Sequence, residues 1–174
     1  MFQHIVNVMN KEIETPKPSP PNLASLSSSL TIPTPGVPAD PHGALRGIAL
    51  TLSRWADAIR RQDIDALARL VALDAEFWTH GAPPLRGRDA LAAAFRPLFD
   101  RFNMEQEFDC VELILSGNLA ILRGTEINRL SDATGGEPRI IRQRAFSVLI
   151  RDESGEWLFS RGMTNLAHRD GGEP

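Results

Sequence analysis

Residues 104–116, Met-Glu-Gln-Glu-Phe-Asp-Cys-Val-Glu-Leu-Ile-Leu-Ser, and residues 119–130, Leu-Ala-Ile-Leu-Arg-Gly-Thr-Glu-Ile-Asn-Arg-Leu, flank the dipeptide Gly117-Asn118. Both flanks are apolar-rich and β-compatible, and the dipeptide suits the positive-φ positions of a two-residue hairpin. A looser connection around Asp132, Gly135 and Gly136 leads into residues 139–152, and Glu153-Ser154-Gly155-Glu156 turns the chain into residues 157–166. Each connection is built from turn-forming residues. The stretch from Met104 to Leu166 therefore reads as a meander of four antiparallel strands, and everything before it must cover that sheet or be left over.

Working outward toward the N-terminus, residues 88–102 read as a helix whose Leu91, Phe95, Leu98, Phe99 and Phe102 share one face. Pro97 lies inside it, removing one backbone donor and crowding the carbonyl of Ala93, so a kink or a break is expected there. Residues 75–80 read as a short strand closed by Gly81-Ala82-Pro83-Pro84. Asp63 is placed to cap a second helix running through Val71. Leu45, Ile48, Leu52, Trp55 and Ile59 recur at helical spacing from about Ala44, with Arg46, Arg54, Asp57 and Arg60 between them. That is an amphipathic helix whose stripe needs a sheet to lie on. The order is helix, helix, strand, helix and then the meander: an α+β arrangement with three N-terminal helices on one face of a curved antiparallel sheet.

The remainder is compositionally distinct. Eight of the thirteen prolines fall between Lys11 and Pro41, interleaved with Ser and Thr. Residues 1–43 thus read as a disordered or extended arm, residues 44–167 as the folded domain, and residues 168–174 as a flexible tail. The length of 174 residues fits one domain, and a net charge of -3 argues against a nucleic-acid partner. No apolar run is long enough to span a bilayer. The first nine residues make a poor secretory signal, and the single cysteine, Cys110, can form no internal disulfide, so a cytoplasmic setting is expected. The four histidines, His4, His42, His80 and His168, lie at no metal-ligand spacing. Neither a dinucleotide fingerprint nor a phosphate-binding loop is present, so no cofactor is expected.

Trp55-Ala56-Asp57-Ala58-Ile59 with Asp63, then Asp74-Ala75, Gly81 to Gly87 with Arg88-Asp89-Ala90-Leu91, Gly117-Asn118-Leu119-Ala120 and Gly155-Glu156-Trp157 form an ordered set. It resembles the SnoaL-like branch of the nuclear transport factor two-like superfamily over about Ala44 to Ala167. The resemblance implies a cone, in which a strongly bent sheet wraps a long first helix and a pocket opens between the sheet's concave face and the helices. It also implies a homodimer through the outer sheet face. It does not fix a reaction, because this fold carries isomerases, cyclases, hydrolases and association modules alike. The ketosteroid isomerase branch needs an aspartate near the end of the first strand and a tyrosine donor. Here Thr79 and His80 stand at that position and the chain has no tyrosine. The arginine-aspartate pair of the limonene epoxide hydrolase branch has only Arg61-Gln62-Asp63, at a helix end, as a counterpart.

Polar residues on apolar strand faces are therefore the candidates. His80, at the mouth implied by the resemblance, can take a proton near neutral pH, or it is a surface histidine before a turn. Arg144 shares a strand face by alternation with Phe146, Val148 and Ile150, and Arg161 with Trp157, Phe159 and Met163. Facing inward, either guanidinium would hold an oxyanion; at a strand end it would reach solvent. Trp55, Phe95, Phe146 and Trp157 are the expected pocket walls. Arg123 and Glu126 point to opposite faces, and an ion pair is expected of either one. Glu105, Glu107 and Asp109 read as a solvated edge, and Cys110 as a buried, unreactive side chain. Two functions fit: a protein that binds a small apolar oxygenated molecule, acting as a cofactor-free isomerase, cyclase or hydrolase, or a non-enzymatic dimeric association module.

Overall fold

Two hairpin turns pin the meander. Gly117 takes a positive φ of 57° and Gly155 one of 89°, conformations that glycine enters without the steric cost a Cβ would add. Around the second turn the Asp152 carboxylate accepts from the Ser154 hydroxyl at 2.6 Å and the Glu156 amide at 3.0 Å. The structure, a computed structural model, describes residues 30–31, 40–132, 134 and 137–166. In chain order the elements are β1 (Leu30–Thr31), α1 (Pro41–Arg60), α2 (Ile64–Arg69), β2 (Val71–Thr79), β3 (Leu85–Arg86), α3 (Gly87–Phe99), β4 (Phe102–Ser116), β5 (Leu119–Asp132), β6 (Arg139–Arg151) and β7 (Trp157–Leu166). The α+β order expected from the sequence is present.

The sheet is open, with strand order β1-β4-β5-β6-β7-β2-β3. The β4 to β7 meander is antiparallel, while β2 runs parallel to β7. Most of the arm lies outside the described residues, as do His4, His168 and the tail. Within the arm, however, Leu30–Thr31 forms a short strand parallel to Leu113 and Ile114 of β4.

Helix ends follow their caps. Asp40 accepts from the Gly43 amide at 2.8 Å and Asp63 from the Ala66 amide at 2.8 Å. The second helix is shorter than its apolar spacing suggested, because Leu70 already gives its carbonyl to the Phe159 amide at 2.9 Å and Val71 pairs in the sheet with Phe159. The strand therefore starts at Val71 rather than Ala75. Helix α3 continues through Pro97 and ends at Phe99, and Phe102 already belongs to β4. Gln62, in the left-handed region at φ 58°, donates to the carbonyls of Phe99 and Phe102, both at 2.9 Å, and so ties the α1–α2 corner to the α3–β4 junction.

Three β-bulges bend the sheet and change which side chains face the helices. Val111 is the extra residue between the pairs Cys110–Gly124 and Glu112–Arg123. Ser160 is extra between Val148–Arg161 and Leu149–Phe159. Opposite Ser160, β2 carries Ala72 to Ala75 between its own pairs with Phe159 and Arg161. The helices cover the concave face. At one end Ile48, Leu113, Leu115, Leu122 and Leu149 close a core around Trp157, which is 2% exposed. Gly47 makes room for that indole, since a Cβ there would stand 2.6 Å from its Cδ1. At the other end Ile59, Leu67, Phe99, Phe102 and Leu130 form a second cluster. Among the described residues no helix is long and apolar enough to cross a membrane.

Candidate functional site

Between the two clusters the concave face is not filled. A cavity of about 230 Å³ remains there, walled by α1, α3 and strands β2 to β7. It sits just below the range of about 300–1,000 Å³ typical of small-molecule sites. Its walls are largely aromatic: Trp55 of α1 meets Phe95 of α3 edge-on at 6.1 Å and Phe159 of β7 at 4.8 Å between ring centroids. Phe77 and Phe108 complete the aromatic lining. Gly124 and Gly162 admit these rings to the sheet surface, because a Cβ at Gly162 would come within 2.5 Å of Phe77 and one at Gly124 within 2.9 Å of Phe108.

The polar part of the lining is a directed chain of hydrogen bonds. The Trp55 indole donates from Nε1 to Gln106 Oε1 at 2.7 Å. Gln106 Nε2 donates to Asn128 Oδ1 at 2.9 Å, and Asn128 Nδ2 donates to Glu126 Oε1 at 2.6 Å and to Gln143 Oε1 at 3.3 Å. The sheet register sets this up: Gln106 pairs with Asn128, Phe108 with Glu126, and Glu126 with Gln143. Glu126 is partly buried and lines the cavity. Burial pushes its pKa above the ordinary carboxylate range, against the hydrogen bonds from Asn128 and Gln106, which act the other way. No Lys or Arg is among the lining residues, so the carboxyl has no cationic partner in the cavity.

The residues singled out in the sequence divide. Trp55 and Phe95 line the cavity, and His80 lies exposed at its mouth, next after β2. Trp157 does not line it; the indole fills the closed core against α1, and its carbonyl accepts from the buried Thr51 hydroxyl at 2.8 Å. Phe146 and Arg144 are on the outer face, because Ile141, Gln143, Ala145 and Ser147 are the inward residues of β6. Arg144 donates there to Asn165 Oδ1 at 3.0 Å.

Arg161 is also turned outward, because the extra residue Ser160 reverses the alternation that had placed it with Trp157 and Phe159. It plugs the β2 bulge, donating from Nη1 to the Asp74 carbonyl at 2.9 Å and the Ser160 carbonyl at 2.7 Å, with Nη2 3.3 Å from the Asp74 carboxylate. Arg123 forms the expected ion pair, 3.0 Å from Glu112. Among the described residues Glu126 forms none, and it lines the cavity instead. Glu107 is not solvated either: it sits 3.5 Å from Arg129, the two side chains 19% and 12% exposed. Cys110 is buried and its thiol is pushed up to about 11, mainly by burial, as an unreactive side chain requires.

A bent open sheet enclosing an aromatic cavity against a long first helix defines a protein of the nuclear transport factor two-like fold. The sequence matches the SnoaL-like domain family over residues 52–158, and the chain belongs to that family. A conserved protein from Planctomyces limnophilus DSM 3776 is similar at 25% identity and a TM-score of 0.66, over 72% of this chain and 99% of that one. A ketosteroid isomerase-like protein from Erwinia carotovora atroseptica SCRI1043 shares the fold at 19% identity and a TM-score of 0.61, over 71% and 96%. So does a nuclear transport factor 2-like superfamily protein from Salmonella enterica serovar Typhimurium LT2, at 15% identity and 0.63, over 72% and 92%. No curated protein matches the sequence.

Proposed function

We propose that this SnoaL-like protein binds a small apolar oxygenated molecule in the aromatic cavity and acts on it by cofactor-free proton transfer, as an isomerase, cyclase or hydrolase would. The observation that carries this reading is Glu126, a carboxyl on the floor of an apolar cavity with amide neighbours and no counter-charge. A carboxylate raised by burial is a stronger base than a solvated one, and one whose value approaches the working pH can both take and return a proton. Glu126 takes the proton-acceptor role that the sequence had pointed to at His80, while Arg144 and Arg161, the expected oxyanion holders, lie on the outer face. His80 at the mouth is a second proton-exchanging group, placed where the cavity meets solvent.

The test is a thermal-shift screen of the full chain against steroids, polyketide-like aromatics, terpenoids and aryl acids. A ligand at a hundred times its dissociation constant adds about 2.7 kcal/mol to native stability. One class should raise the melting temperature of the wild type and fail to do so in Glu126→Gln or in a variant with the cavity blocked. A flat response across the panel speaks against the reading.

The outer face supports a second element of the proposal, a homodimer. Trp78, Met163 and Phe146 are cross-strand neighbours there, 53%, 43% and 43% exposed. Such a row is more apolar surface than a lone sheet face needs to show water. A Phe146→Asp variant should shift the mass in solution from dimer to monomer, and unchanged mass removes this element. If the dimer forms while no ligand binds, the non-enzymatic association module becomes the better account.

A further inference from the structure

An indole N–H can donate a hydrogen bond and cannot accept one. Gln106 must therefore turn Oε1 toward Trp55, at 2.7 Å. Its Nε2 is then committed to Asn128 Oδ1, and Asn128 Nδ2 to Glu126. Each amide could accept at the end where it now donates if the indole donor were absent. The orientation of the whole row is thus set from α1, through Gln106, which reaches Glu126 both by way of Asn128 and by its own hydrogen bond.

We propose that Trp55 is the positioning residue of the cavity: its indole holds Gln106 and Asn128 with their donors toward Glu126, so that the carboxylate is kept as an acceptor and the site selects a hydroxyl on an apolar ring over the matching ketone. The choice of ligand class rests on the function proposed above; the orientation of the row does not. Other ionisable groups near Glu126 leave this control in place. Among the described residues on the lining, β4 contributes Glu107, which is engaged with Arg129, and the turn after β2 contributes His80 at the mouth. Helices α1 and α3 and strands β3, β5, β6 and β7 add no titratable side chain to it other than Glu126 itself.

The experiment follows the Glu126 side-chain carboxyl by ¹³C NMR through a pH titration of the full chain, with Glu126→Gln used to assign the signal. Trp55→Phe keeps an aromatic ring in the wall and removes the donor. The amides are then free to reverse, Asn128 can offer its oxygen, and Glu126 holds its proton to higher pH. The expected result is an upward move of the titration midpoint in Trp55→Phe, and a move in the same direction in Gln106→Met, which leaves α1 untouched and removes both the row and the hydrogen bond of Gln106 itself to Glu126. Phe146→Leu, on the outer face, leaves the cavity wall and the row intact and should leave the midpoint in place. An unchanged or lower midpoint in both Trp55→Phe and Gln106→Met overturns the positioning role.

For the ligand, cyclohexanol and cyclohexanone are compared by calorimetric titration above the Glu126 midpoint. The wild type should prefer the alcohol by about tenfold, the scale of a hydrogen bond to a charged group, and Trp55→Phe should lose that preference. Equal or tighter binding of the ketone to the wild type overturns the selectivity. Failure of both probes to bind overturns it together with the proposed function, while the NMR midpoints still decide the role of Trp55.

Discussion

On the outer side of β5, Arg123 and Arg129 stand 3.0 Å from Glu112 and 3.5 Å from Glu107. On its inner side Glu126 meets Asn128 at 2.6 Å and, among the described lining residues, no Lys or Arg. One strand thus carries charge in two ways, set only by the alternation of its side chains. Outside, opposite charges are paired, the Arg123–Glu112 pair open to solvent and the Arg129–Glu107 pair largely buried. Inside, the carboxyl is desolvated and steadied by amides alone, an arrangement in which its protonation depends on its surroundings rather than on a fixed partner. Structural charge is compensated in place, whereas Glu126 has no cation among the cavity-lining residues.

The contrast can be broken most strongly where the inner face is filled. Trp157→Ala should cost about 3–5 kcal/mol in urea unfolding, since the large ring is enclosed and Gly47 cannot close the space. An intermediate effect is expected at the β2 bulge. Arg161→Ala releases the Asp74 and Ser160 carbonyls and should cost about 1 kcal/mol, while leaving ligand binding in the cavity unchanged. A loss of binding in that variant with the fold retained would return Arg161 to the site. The smallest effect belongs to the exposed pair outside: Glu112→Gln should change stability by about 0.2–1 kcal/mol, and by less in high salt.

Much of this was legible from residue pattern. Gly117-Asn118 located the hairpin, the spacing of Leu45, Ile48, Leu52, Trp55 and Ile59 located the first helix, and the ordered family motifs gave the fold. The site was harder, because single extra residues undo alternation. Counted back from the Gly117-Asn118 turn, Gln106 falls opposite Arg129; the bulge at Val111 shifts it to Asn128 and so assembles the amide row. Ser160 does the same on β7, turning Arg161 away from the rings it follows in sequence. Neither Val111 nor Ser160 has a composition that marks a bulge. Phe146 and Arg144 show the remaining difficulty: a strand apolar on both faces gives no sign of which one is concave. The signal present in the sequence is Glu126 itself, an acid between Leu122 and Leu130 on the inward register of β5.

The most direct test of the account is thermal unfolding of the full chain and of Glu126→Gln from about pH 4 to about pH 9, spanning the ordinary carboxylate value and the region above it. Burial raises the folded-state pKa of Glu126 above that of the unfolded chain. The native state then holds this proton more tightly. Its contribution is fully present below the unfolded value and is lost as pH rises through the folded one. The wild type should therefore lose stability relative to Glu126→Gln as pH rises through that window, after which the difference should level off. Parallel curves, or a wild type that gains on Glu126→Gln with rising pH, would mean that Glu126 is a compensated structural carboxylate like those on the outer face.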